Sequence, residues 1–181
     1  MIKIKFSLFF IYLTICIPVF AQQNTSMQVS QIWDNANDLL NKGKYVAAAE
    51  QFEQIENWNL KTSNQPKFES ELPLMRENAQ YYSALCSLEL KNDNAESLFL
   101  KFIFEHPENP LTRLAFFQLG KGSSKKENFI EALKWFNKID AEDLSGGIKT
   151  EYQFRKGYAF FITNDYKNAS DLFSTVKEKK S

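Results

Sequence analysis

Residues Leu114 to Ile139 read LAFFQLGKGSSKKENFIEALKWFNKI, and this stretch decides the fold. Phe116, Leu119 and Gly120 fall on one helical face ahead of a polar turn. Ala132, Phe136 and Ile139 then recur at steps of four and three residues, the period of a second amphipathic helix. A small residue in the middle of each helix, Gly120 in one and Ala132 in the other, lets the backbones approach while bulky neighbours fill the space that remains. The stretch therefore predicts two short helices folded back on each other.

The same frame recurs on both sides. Towards the N-terminus, Ser30 is the expected N-cap of a helix to Asn41 with Ile32, Ala36, Leu39 and Leu40 on its apolar face. Lys42-Gly43-Lys44 turns the chain into a second helix carrying Tyr45, Ala48, Ala49, Phe52 and Ile55. Periodicity is lost after Ile55, and Pro66 is read as a helix breaker, so 57–72 is expected to be an irregular connection. Pro73 suits the first turn of the next helix, which places Ala79, Tyr82, Ser83 and Cys86 on its packing side. After Asn92-Asp93-Asn94 come Ala95, Leu98, Phe99 and Phe102, up to Pro107. Asn109-Pro110 opens the central stretch and Gly146-Gly147 closes it. A fourth copy follows with Gly157, Phe160, Tyr166, Ala169, Phe173 and Val176. Ala95, Ala132 and Ala169 stand 37 residues apart, and Ala48 precedes Ala95 by 47 because of the connection. Equal spacing of one small residue is the mark of a stacked array. The expectation is an all-α chain with helix pairs at about 30–56, 73–107, 110–140 and 148–178. Its packing positions are Ala48, Phe52, Ala95, Phe99, Gly120, Ala132, Phe136, Gly157, Ala169 and Phe173.

This order of aromatic, Leu-Gly, then Ala and aromatic positions resembles the tetratricopeptide repeat, a helix-turn-helix unit of about 34 residues. The first copy matches through AAAEQFEQI and only loosely before it, where Ala36 takes the small position without a Leu-Gly pair. The resemblance implies a right-handed superhelical solenoid of antiparallel helix pairs, about four repeats long. It also implies a concave groove lined by the first helix of each repeat. Carried over residue by residue, the groove positions are Trp33, Asn37 and Leu40, then Gln80, Ala84 and Ser87, then Phe117, Lys121 and Ser124, then Phe154, Tyr158 and Phe161. Such a groove is aromatic and lightly charged, which suits an extended peptide or an apolar helix. The competing reading is that these aromatics pack between neighbouring repeats. The family's carboxylate clamp, a cluster of Lys, Arg and Asn, is not supported, since only Asn37 and Lys121 occupy such positions.

The N-terminus reads differently. Lys3 and Lys5 precede an apolar run from Phe6 to Phe20, and Ala21 stands before Gln22-Gln23. That is the layout of a secretory signal peptide over 1–21, followed by a flexible leader over 22–29. A run of about 15 residues is short for a membrane span of about 20. Ile15 before Cys16 does not supply the small residue that lipidation needs. Cleavage removes Cys16 and leaves Cys86 alone, so the exported chain makes no internal disulfide and Cys86 is read as a small buried hydrophobe. The expected compartment is the periplasm, or the outer-membrane surface, of a Gram-negative-type bacterium.

Lysine plus arginine equals aspartate plus glutamate at 22 each, and the signs are interspersed, so no nucleic-acid footprint is present. The sequence carries no glycine-rich phosphate loop, no metal-ligand cluster and no nucleophile motif. His106, the sole histidine, stands beside Pro107 at a helix end and is read as a terminal surface residue. Catalytic, cofactor and metal residues are accordingly expected to be none. The leading expectation is a noncatalytic protein-interaction scaffold of the cell envelope whose partner is a protein or peptide. Aromatic platforms also suit a glycan-binding accessory protein, and a third reading is the sensor segment of a longer signalling protein or enzyme. The sequence ends on Lys177-Glu178-Lys179-Lys180-Ser181 with no polar capping helix. The last helix face is therefore expected to dock on further repeats or on another subunit.

Overall fold

The structure, a computed structural model, describes residues 27–58 and 66–178, and every regular element among them is helical. The expected signal peptide, residues 22–26 of the leader and residues 59–65 of the connection lie outside the described residues. The helices are α1 over 27–41, α2 Tyr45–Glu56, α3 Pro66–Glu89, α4 Ala95–Glu105, α5 Thr112–Lys125, α6 Phe129–Phe136, α7 Gly146–Ile162 and α8 Tyr166–Glu178. A single 3-10 turn, Ala141–Asp143, precedes α7.

Two boundaries differ from expectation. Residues 27–29, assigned to the leader, already belong to α1, and Val29 is fully buried in a cluster with Leu72, Trp58 and Met75. Val29, Ile32, Trp33 and Ala36 continue one helical stripe, so the apolar period begins before Ser30. The second correction concerns Pro66, read as a breaker. It is instead the first residue of α3, where its missing N–H would have had no intrahelical partner. Pro73 then lies inside the helix at the cost of one backbone hydrogen bond, and Leu72 beside it anchors the turn by burial.

The chain divides into two compact units between Asn92 and Asp93. The boundary falls between α3 and α4, which the sequence frame paired over 73–107. In the first unit α2 packs on α3, and Ala36, Ala48, Phe52, Ile55, Ala79 and Cys86 form the core. In the second unit α4 packs on α5, α5 on α6, α6 on α7 and α7 on α8, around Phe117, Ala132, Phe136, Ile139, Leu144 and Tyr152.

Four helices end in the same way. Lys44, Asn92, Asn128 and Asp165 each donate a backbone N–H to the carbonyl five residues earlier. The residue before each donates to the carbonyl three residues earlier. These are the paired bonds of the Schellman motif, which satisfies the last carbonyls of a helix through one left-handed residue. Gly43, Lys91, Glu127 and Asn164 are the left-handed residues, with φ between 59° and 69°. A shared triplet follows each turn: Ala48-Phe52-Ile55, Ala95-Phe99-Phe102, Ala132-Phe136-Ile139 and Ala169-Phe173-Val176, with Ile139 lying three residues past the end of α6. The alanine is buried in all four. In three copies it lies four residues after the N-cap, but Ala95 follows the N-cap Asn94 directly, so the second copy has a longer turn and a shifted register.

Candidate functional site

In the second unit α7 closes the α5–α6 pair. Its Tyr152, 2% exposed, stands edge-on to both Phe117 and Phe136, at centroid distances of 6.4 and 6.0 Å. The Tyr152 hydroxyl shares its proton between the Phe136 and Ile139 carbonyls at 3.0 and 3.1 Å. Phe136 closes α6, and its carbonyl also accepts the Ile139 backbone N–H at 3.2 Å. Lys156 Nζ donates back to the Tyr152 oxygen at 3.0 Å. Burial, and then the charge of Asp140, pushes the phenol up to about 12, and burial draws the Lys156 ammonium below its ordinary value. Glu151 ties the helices electrostatically: Arg155 Nε lies 2.7 Å and Lys121 Nζ 3.5 Å from its Oε1. Burial alone would raise this carboxyl, but the hydrogen bond from Arg155 and the charge of Lys121 hold it below the usual range.

One frame further on, 37 residues along, the same positions are uncovered. Phe154 corresponds to Phe117 and Phe173 to Phe136. Their rings lie 5.9 Å apart at 47°, against 6.2 Å and 44° in the covered pair. Phe117 is 3% exposed and Phe154 is 53% exposed. Along α7, Phe154, Tyr158 and Phe161 follow at steps of four and three residues, and all three are exposed. Two open clefts flank this stripe. One, of about 400 Å³, is lined by Ser124, Lys125, Glu127 and Phe129 facing Phe154, Arg155 and Tyr158, with Phe129 edge-on to Tyr158 at 5.7 Å. The other, of about 470 Å³, lies between α7 and α8 over Phe161, Tyr166, Ala169 and Phe173.

The groove candidates divide accordingly. Phe154 and Tyr158 stand in the solvent-facing stripe. Phe117 does not: it is a core residue covered by Tyr152, which corrects its assignment to a groove. Lys121 is half-buried, bound to Glu151 and placed over the Phe117 ring at 5.3 Å. In the first unit Trp33 packs edge-on against Phe52 and Tyr82 at 5.8 and 5.7 Å. Asn37 donates its side-chain N–H to the Trp33 carbonyl at 2.8 Å, and Gln80 is half-buried on α3. The packing positions Ala48, Phe52, Ala95, Phe99, Gly120, Ala132, Phe136, Gly157 and Ala169 are buried, and Phe173 is half-buried. Sequence reasoning did not single out Tyr152, Phe129 or Arg155; the signal for Tyr152 was an aromatic five residues ahead of the Gly157 position.

Elsewhere, burial pushes the Cys86 thiol up to about 11, which keeps it protonated and unreactive. His106 is the C-cap of α4, with its ring tilted against Phe102 at 5.6 Å. Among the described residues no group of three or more His, Cys, Asp or Glu could hold a metal, and no helix is long and apolar enough to cross a membrane. No protein-family model, curated protein or solved structure matches the chain.

Proposed function

We propose that this chain is a noncatalytic interaction scaffold of the cell envelope, working without a cofactor. In this reading it is a right-handed solenoid of antiparallel helix pairs of the tetratricopeptide type. It holds a helix or an extended peptide of a protein partner against the aromatic stripe of α7. The observation that carries the reading is that stripe: Phe154, Tyr158 and Phe161 are 53%, 45% and 49% exposed on one helix face. Contiguous exposed aromatics on a folded surface are unfavourable in water unless something covers them, and interface energy concentrates on residues of this kind. Export is supported by the Lys3, Lys5 and Phe6–Phe20 pattern.

Photo-crosslinking in living cells tests the reading. A crosslinker at Tyr158 is expected to give a discrete protein adduct that is absent when the crosslinker sits at Lys134, an exposed residue of α6. The absence of any adduct from a folded, exported chain would defeat the scaffold and favour a glycan. Trp33 is a poor reporter for that alternative because it is packed against Phe52 and Tyr82. Sugar binding is better read from Tyr158 itself, by NMR.

A further inference from the structure

Arg76 stands on α3 where the helical period calls for an apolar residue. It comes four residues after Leu72 and three before Ala79, both fully buried, and Met75 beside it packs against the core of the first unit. Arg76 is itself half-buried, and its Nε is sealed from water with no hydrogen-bond partner. The chain's other two arginines each hold a carboxylate. Arg113 Nη1 lies 3.2 Å from Asp143 Oδ1, and Arg155 Nε lies 2.7 Å from Glu151 Oε1. Arg76 holds none among the described residues. An acid that α2 does bring to α3, Glu56, accepts instead from the Ser83 hydroxyl at 2.5 Å. A half-dry guanidinium without a counter-charge costs stability, which a leucine or methionine at the same place would not. A local rule broken with no compensation inside the fold marks a position kept for function.

We infer that Arg76 is the anchor for a carboxylate group of a ligand, received end-on by Nη1 and Nη2 at the surface of the first unit. This site lies apart from the α7 stripe and does not rest on the scaffold reading. The end-on approach follows from burial: Nε, the nitrogen that Arg155 turns to Glu151, is closed off at Arg76, which leaves the outer pair. A guanidinium fork fits carboxylate and phosphate alike, so charge decides between them. From residue 27 to residue 92 the sequence carries nine acidic residues against six basic ones. A phosphate ester, with a charge of about −1.5 to −2, is repelled by that excess up to twice as strongly as a carboxylate. A nucleic acid or an anionic membrane surface is repelled more strongly still. The carboxylate of an acidic side chain on a partner protein and that of a small organic acid present the same chemistry to the site.

The test follows the Arg76 Nε–Hε resonance of the full chain by NMR while sodium acetate replaces sodium chloride at constant ionic strength. A saturable shift with acetate is expected. Arg76→Met removes the half-dry charge and is expected to raise the urea midpoint in chloride. Acetate should stabilise the unaltered chain and leave this variant unmoved. Arg76→Lys keeps the charge without the fork and should bind acetate about 10-fold more weakly. A resonance indifferent to acetate would leave an arginine bridged by water only and overturn the proposal. So would an Arg76→Met chain that is less stable in chloride yet responds to acetate as the unaltered chain does. Tighter binding of inorganic phosphate than of acetate would overturn the choice of carboxylate. If Arg76→Met unfolds, the resonance of the unaltered chain and the Arg76→Lys titration decide. A photo-crosslinker at Pro73, exposed one turn ahead on α3, then separates the two sources in cells. A protein adduct that Arg76→Lys removes assigns the carboxylate to a partner's side chain, and no adduct beside an intact acetate site assigns it to a free organic acid.

Discussion

The α5–α6 pair and the α7–α8 pair are built on one frame, with Gly120 and Gly157, Phe117 and Phe154, Ala132 and Ala169, and Phe136 and Phe173 at matching positions. Their turns close through the same two backbone bonds. Yet Phe117 is buried and Phe154 is half in water. Everything within a pair is therefore set locally, by a glycine opposite a ring, a left-handed turn residue and a small residue at the crossing. Whether the outer aromatic becomes core or surface is set by the next helix. Role follows neighbour, not frame.

The comparison breaks most sharply on truncation of that aromatic. Phe117→Ala removes a ring enclosed by Phe136 and Tyr152 and is expected to cost about 3–5 kcal/mol. Phe154→Ala, which loses contact with Phe173 on one side only, should cost under about 1 kcal/mol. Urea denaturation of both variants reads the difference. Equal costs would mean that the second ring is covered in solution, by self-association or otherwise.

Gly120 and Gly157 give the next contrast. A Cβ at Gly120 would collide with Phe136 Cε1 and lie 2.6 Å from its Cδ1, against a ring with no room to retreat, whereas at Gly157 it would lie 3.2 Å from Phe173 Cδ1. Phe173 borders the open cleft and can shift. Gly120→Ala is expected to destabilise by about 1–3 kcal/mol through overpacking. At Gly157 the helix-propensity gain of about 1 kcal/mol offsets most of the strain, and the melting temperature should barely move.

How much of this was legible in the sequence follows from the same contrast. The alanines at 37-residue spacing, the two glycines and the turns could be placed because each is decided within a few residues. The burial of Phe117 could not, because the residue that decides it, Tyr152, belongs to another helix and carries no motif of its own. The start of α3 was missed for a different reason. Proline is equally at home in the first turn of a helix and in a break, and only the burial of Leu72 decides between them. The leader boundary was set too late because a polar N-cap candidate, Ser30, outweighed the apolar stripe that Val29 begins.

Tyr152 itself sharpens the account of the cover. Tyr152→Phe keeps the ring and removes the hydroxyl from two carbonyls, at an expected cost of roughly 1–2 kcal/mol. The pH profile separates this from packing. The folded phenol is pushed from 10.0 up to about 12. A raised value means that the folded state holds the proton longer, so the stabilisation is complete below about pH 10 and is lost as pH rises towards 12. Urea melts at pH 9 to 12 should show that decline in the unaltered chain and a shallower one in the variant. Parallel profiles would assign the alkaline loss to other groups, Tyr82 among them, whose phenol burial also raises; Lys156, drawn down by burial, works in the opposite sense.

The smallest expected effect lies in the turns, where the two pairs place different side chains at the left-handed position. Glu127 and Asn164 hold corresponding left-handed positions, with φ of 59° and 65°. A β-carbon is strained there by about 1–2 kcal/mol, but asparagine is relieved of part of that cost by local hydrogen bonding. Asn164 Oδ1 does accept from the Tyr166 hydroxyl, at 2.8 Å. Glu127→Gly should therefore stabilise the fold by about 0.5–1 kcal/mol, the relief being reduced by the larger entropy of glycine in the unfolded chain. Asn164→Gly should give no gain, because it removes less strain and also the Tyr166 contact. Thermal melts of the two variants decide the point. If both gained equally, the turns would be energetically interchangeable, and the asymmetry between the pairs would rest on the covering helix alone.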